Sequence, residues 1–171
     1  MLEYPFTFVL SLLFMLLLVS SCHLIAAFIS IVGFSLGVYV LILSDAPTAI
    51  AREAGIKYFY LSTASSGLMI YGIFLLFVSA GTCNFIELGT VLYEVSENTA
   101  AAGGLLSLAL ALLFTGVFFK LSAFPGHLWA PDVYEGAPDS VTALLMLPVK
   151  VAALGFVINL VVLALEPVAA V

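Results

Sequence analysis

Apolar residues run almost unbroken along this chain, and polar residues interrupt them at only a few places. Residues 4–44 contain no Asp, Glu, Lys or Arg, a run of 41 positions, about twice the ~20 residues that one helix needs to cross a ~30 Å hydrocarbon layer. The polar cluster inside it, "SSCH" at 20–23, divides the run into helices predicted near 5–20 and 24–43. Further apolar spans are predicted at 58–80, 100–122 and 140–165. On the third, Thr63 with Gly67 and Ser62 with Ser66 are small-xxx-small pairs, which predict close approach of a neighbouring helix. Between the third and fourth spans, "GTCNFIELGTVLYEVSENT" at 81–99 reads as an acidic connector with Glu87, Glu94 and Glu97.

Composition turns this pattern into a fold class. Hydrophobic residues make up 64% of the chain and charged residues 8%, too little polar surface to clothe a water-soluble globule. The chain therefore reads as an all-α membrane protein with about five transmembrane helices. Glu3, and the absence of Lys or Arg before Arg52, argue against the basic start of a signal peptide. Arg52 and Lys57 place the second connector on the cytoplasmic or matrix side by the positive-inside tendency. Alternation then puts 81–99 opposite, and 123–139 back with the N-terminus. Cys22 and Cys83 have no CxxC or Cys/His ligand spacing, so neither a disulfide framework nor a metal site is expected. The net charge of −6 contains no basic cluster that would call for nucleic acid or anionic lipid. No glycine-rich phosphate loop, haem-ligand pair or nucleophile triad is present.

The chemistry concentrates in "FFKLSAFPGHLWAPDVYEGAPDS", residues 118–140, which holds four charges, a histidine and three prolines in a chain with only four Lys and Arg. Pro125 cannot donate the helical hydrogen bond to the Leu121 carbonyl, so a helix arriving from Ala100 is expected to break just beyond Lys120. Backbone groups freed at such a break need protein or a water-filled cavity. An ammonium beside it is costly in hydrocarbon and marks an ion path, or else it snorkels to the headgroups. Lys150 lies near the middle of the last span, too deep to snorkel easily, and Pro148 frees the carbonyl of Leu144 beside it. Two lysines, each next to a proline-disrupted helix, point to proton handling. His127 reads as a relay or as an interface residue. Trp129 and Tyr134 suit an interfacial belt. Asp132 and Glu135 are assigned to the turn, and Asp139 or Ser140 to the cap of the last helix.

These residues carry a resemblance. "FFKLSAFPGHLWAPDVYEGAPDSVTALL", "EAGIKYFYLSTASSGLMIYGIFLLF", "LLFMLLLVSSCHLI" and "GVYVLIL" together resemble chain 2 of NADH:ubiquinone oxidoreductase, respiratory complex I, over nearly the whole sequence. Chains 4 and 5 and the multisubunit cation/proton antiporters share the Lys, Pro and His-x-Trp elements but typically lack the Tyr-Glu-Gly-x-Pro run. The resemblance implies one antiporter-like five-helix repeat with a broken fourth helix, with Lys120 and Lys150 on a proton path and an inverted second repeat as partner. It implies no cofactor in this chain; FMN, iron–sulfur clusters and ubiquinone would belong to other subunits of the complex. Expected partners are other membrane-arm subunits, a separate chain carrying the second half, and membrane lipids, in a mitochondrial inner membrane or, as the alternative, a bacterial plasma membrane. Two departures stand out. Val32 occupies the position where the family usually has a Glu paired with the broken-helix lysine, and Gly126 replaces a bulky apolar residue. A structural membrane-arm subunit that has lost proton conduction is therefore the competing expectation.

Overall fold

The computed structural model describes residues 3–44, 48–98, 100–124 and 126–169. Eight helices follow in order: α1 (Glu3–Ser20), α2 (Leu24–Ser44), α3 (Ala49–Ala80), α4 (Phe85–Asn98), α5 (Ala100–Lys120), α6 (Trp129–Gly136), α7 (Asp139–Met146) and α8 (Pro148–Ala169). Helices α1, α2, α3 and the succession of α7 and α8 over 139–164 are each long and apolar enough to cross a membrane, and Gly104–Lys120 in α5 is a shorter apolar helix. Of the five apolar passes expected, four are thus long enough to span among the described residues, and the fourth expected pass corresponds to the shorter apolar helix. Their lipid-type surface is plain in the exposure of Leu13, Leu16 and Leu17 on α1 and of Phe74, Phe77 and Val78 on α3.

The break at "SSCH" falls where the pattern put it, between Ser20 and Leu24. Three boundaries differ. Residues 81–99 are mostly helix, because Phe85, Leu88 and Leu92 recur at helical spacing and face the core while Glu87 points away. Glu94 and Glu97 have side chains outside the described residues. Helix α3 starts nine residues before position 58, since Thr48 caps it by accepting from the Ala51 N–H at 3.2 Å. Arg52 and Lys57 therefore ride on the helix rather than in a connector. The last span is split at Leu147, and Pro148, which has no N–H to offer, opens α8. Pro138 rather than Asp139 or Ser140 occupies the N-cap of α7 and gives no side-chain bond; the Ser140 hydroxyl pairs with that of Tyr4 instead.

Helices α3 and α5 make the tightest pairing, running antiparallel. A Cβ on Gly72 would lie 2.6 Å from the Leu113 nitrogen, and one on Gly116 would lie 2.8 Å from the Met69 Cβ. The Ser65 hydroxyl crosses the same seam to the Gly116 carbonyl at 2.9 Å. Close approach thus uses Gly72 and Gly116, not the Thr63/Gly67 pair, whose glycine has nothing within 4 Å of an added Cβ. Thr63 and Ser66 line a cleft between α2 and α3 instead. At one end of the bundle the two short connectors are stitched together. Leu24 N–H donates to the Cys83 carbonyl at 2.9 Å and Phe85 N–H to the Cys22 carbonyl at 3.1 Å, around an antiparallel bridge of His23 with Asn84.

Candidate functional site

Helix α5 stops at Lys120 for a local reason. Ala123 N–H donates to the Phe118 carbonyl at 2.9 Å and Ser122 N–H to the Phe119 carbonyl at 3.1 Å, the paired closure of a Schellman motif. Ser122 takes the left-handed position at φ 56°, where glycine is the usual residue. Gly126 then folds back on the helix end, and a Cβ there would lie 3.0 Å from the Phe119 Cα. Pro125, to which the break was ascribed, lies outside the described residues; the closure is complete without reference to it.

The break sets Lys120 on the last turn of α5, where a cation complements the unpaired carbonyls of the helix end. Its side chain turns inward and is 4% exposed. The Nζ donates to Ser35 Oγ of α2 at 2.8 Å and to Ser62 Oγ of α3, with the Phe34 ring centroid at 5.9 Å. Ser62 is near the middle of the 32-residue α3, so the amine is deep in the bundle and does not snorkel. Val32, where a carboxylate was expected, lines the adjoining cleft of about 290 Å³ together with Ser35, Tyr58, Ser62, Thr63 and Ser66. Among the described residues two hydroxyls, and no carboxylate, hold this amine.

A shell of aromatics adjoins it. Trp129 is buried rather than interfacial. It stacks on Phe119 at 5.9 Å between centroids, meets Tyr58 at 5.6 Å and Tyr134 at 6.1 Å, and donates its indole N–H to the Phe119 carbonyl at 3.2 Å. Lys150 is partly buried, with Nζ 5.9 Å from the Tyr134 ring centroid. The two lysines therefore do not meet. Each sits in its own setting, with Tyr58, Trp129 and Tyr134 between.

The model for NADH:quinone oxidoreductase/Mrp antiporter transmembrane proteins matches residues 21–170. The chain belongs to this family. Among antiporter-family relatives it is 41% identical over 170 residues to NADH-quinone oxidoreductase subunit N 1 of Rhizobium meliloti, covering 98% of this chain and 34% of that one. It is 40% identical to subunit N of Rhodobacter capsulatus, covering 93% and 32%. The chain thus spans about a third of the length of the relatives it matches. In structure it is similar to a chain of respiratory complex I from Thermus thermophilus with bound aureothin, with a TM-score of 0.77 at 29% identity over 93% of this chain and 34% of that one. A chain of the membrane-bound sulfane sulfur reductase, an archaeal respiratory membrane complex, is similar at TM-score 0.79 and 26% identity, over 88% and 30%.

Within this antiporter-type fold the remaining sequence-predicted residues fall into place unequally. Asp132 and Glu135 lie within helix α6 rather than in a turn; the Asp132 carboxylate accepts from Lys57 Nζ at 2.7 Å, and Glu53 pairs with the same amine at 2.8 Å. This clamp fastens α6 to α3, and Gly136 lets the two close, its Cα so placed that a Cβ would lie 2.5 Å from that of Ala54. Glu135 lines the same small cleft as Asp132 and Lys57. His127 is exposed beside Phe124 at 5.9 Å between ring centroids, and among the described residues no hydrogen bond joins it to either lysine. Sequence reading missed Ser35, Ser62 and Tyr58. The signal available for them was a set of hydroxyls on the helix faces nearest an intramembrane lysine, which apolar periodicity hides.

Proposed function

We propose that this chain is a proton-translocating part of the membrane arm of an NADH:quinone oxidoreductase, with Lys120 and Lys150 as its proton carriers. The observation that carries this reading is the inward, 4% exposed amine of Lys120 held by two hydroxyls at mid-helix depth. A buried amine is tolerated in a membrane where polar company surrounds it, and such residues serve ion and proton pathways. Lysine also changes charge readily when buried, which suits it to pass a proton on. The Rhizobium meliloti and Rhodobacter capsulatus relatives are subunits of NADH-quinone oxidoreductases, which supports a coupling membrane as the setting. They are bacterial N subunits, and supply no support for the chain 2 numbering or the mitochondrial inner membrane expected from the resemblance. Redox centres, including flavin and iron–sulfur clusters, belong to other subunits in this reading. An inverted second repeat, in whichever polypeptide it resides, is the expected partner of the lysine-bearing helices.

The structural alternative draws support from one feature: no carboxylate pairs with Lys120 among the described residues. Both readings meet one experiment. Lys120→Ala and Lys150→Ala are introduced into the complete complex, which is reconstituted in vesicles and assayed for quinone reduction, pH gradient and subunit content. Proton carriage predicts complexes that assemble yet build a much smaller gradient per quinone reduced. A full gradient in both variants overturns it in favour of the structural role.

A further inference from the structure

The aromatic group between the two lysines has no task in the reading above. Tyr58 is 4% exposed and lines the same cleft as Ser35 and Ser62, the two acceptors of Lys120 Nζ. Tyr58 and Tyr134 both meet the Trp129 indole edge-on, and Lys150 Nζ approaches the Tyr134 ring. Trp129 itself has one N–H, committed to the Phe119 carbonyl. The Tyr134 hydroxyl, by contrast, is buried and has no hydrogen-bond partner among the described residues. Leaving such a group unpaired is costly, so a buried, unpaired phenol in a ring that an amine approaches calls for a reason.

Taking the proton-translocating reading as given, we infer that Tyr58 and Tyr134 are the relay residues that pass protons between Lys120 and Lys150. The direction of exit from Lys120 follows from the two serines. Ser35 Oγ spends its own proton on the Ile31 carbonyl at 2.6 Å, which makes it an anchor. Ser62 Oγ donates to no other acceptor among the described residues and adjoins Tyr58, so it is the outlet. In one passage the Lys120 ammonium gives a proton to Ser62 Oγ as the serine's own proton moves through water in the shared cleft to Tyr58 Oη. Tyr58 releases its phenolic proton through a bridging water to Tyr134, and Tyr134 releases its own through a further water to the neutral Lys150 amine. Each hydroxyl gains one O–H bond and loses one, so no phenolate forms. Lys120 ends neutral and Lys150 ends as the ammonium. Polar groups beyond direct reach are joined through one water at little cost. Trp129 holds the phenols apart and carries no proton.

Tyr134→Phe and Tyr58→Phe test this in the reconstituted complex, since each keeps the ring and its packing on Trp129 and removes only the hydroxyl. The readouts are subunit content, quinone reduction in uncoupled vesicles, gradient formed per quinone reduced, and the effect of D2O on gradient formation. With assembly intact, the expected result is a gradient-forming rate lowered at least about tenfold, bounded above by the ~10²–10⁴ that positioned proton transfer contributes, and a changed D2O effect in the residual activity. A tyrosine that merely packs would leave both unmoved. Full gradient formation in both phenylalanine variants, beside its loss in Lys150→Ala, overturns the relay and leaves the lysine reading standing. Full gradient formation in the lysine variants overturns both.

Discussion

Replacing Ser35 and Ser62 together by Ala strips Lys120 of both its acceptors, and the consequence is calculable. The amine is 4% exposed, so water does not substitute for the lost bonds. A hydrogen bond to a charged group contributes about 1.5–3 kcal/mol, so losing two costs roughly 3–6 kcal/mol while the amine stays charged. Against a total stability of about 5–15 kcal/mol that loss is severe. Shedding the proton limits the damage, because a neutral amine tolerates an apolar site far better. The contribution is isolated by a double-mutant cycle with Lys120→Met, which keeps an unbranched chain and removes the charge. With Met at 120, the two Ser→Ala changes leave no stranded cation, and the expected coupling energy is about 3 kcal/mol. Unfolding by SDS titration, read by near-ultraviolet circular dichroism, gives the four stabilities. Equal losses with Lys and with Met at position 120 would show that the serines serve helix packing, and the cradle would have no electrostatic meaning.

Ser122→Gly relieves a left-handed φ of 56° and deletes a buried hydroxyl without a partner among the described residues; a gain of about 1 kcal/mol is expected in the same titration. Gly72→Leu forces a side chain against the Leu113 backbone, where even a Cβ would lie at 2.6 Å; a loss of at least about 1–3 kcal/mol follows, or failure to assemble, seen by size-exclusion chromatography. Burial pushes the Cys83 thiol up, so its reactive thiolate is scarce until the pH passes above the usual thiol range, whereas Cys22 is exposed. Membrane-impermeant maleimide at neutral pH should label Cys22 quickly and Cys83 slowly, and equal rates would contradict the stitched connectors.

What could be read from the chain was whatever depends on its own neighbours. The charge-free run, the turn at 20–23 and the stop at Lys120 are local, and they stand. Helix α4 escaped because three glutamates dominate its composition while only Phe85, Leu88 and Leu92 declare its period. The start of α3 escaped because Arg52, Glu53 and Lys57 look like loop until Asp132, 75 positions beyond Lys57, is known to pair with that lysine. Lys120 and Lys150 were legible as costly residues in an apolar setting. Their company was not, because Ser35, Ser62 and Tyr58 come from two other helices, and ordinary serines in transmembrane segments merely bond back to their own helix, as Ser66 does to the Ser62 carbonyl at 2.9 Å.

The bridge of His23 with Asn84 has a mechanical consequence for that company. Ser35 lies eleven residues into the chain beyond Leu24, and Ser62 nineteen before Gly81, so the two oxygens meet one amine only if α2 and α3 stand at matched depths. A slip of a single residue displaces one hydroxyl by about 1.5 Å relative to the other, enough to carry a 2.8 Å hydrogen bond beyond its range. The paired backbone bonds between the Cys22 and Cys83 turns act as a depth stop that keeps the two serine oxygens level with the one amine they share.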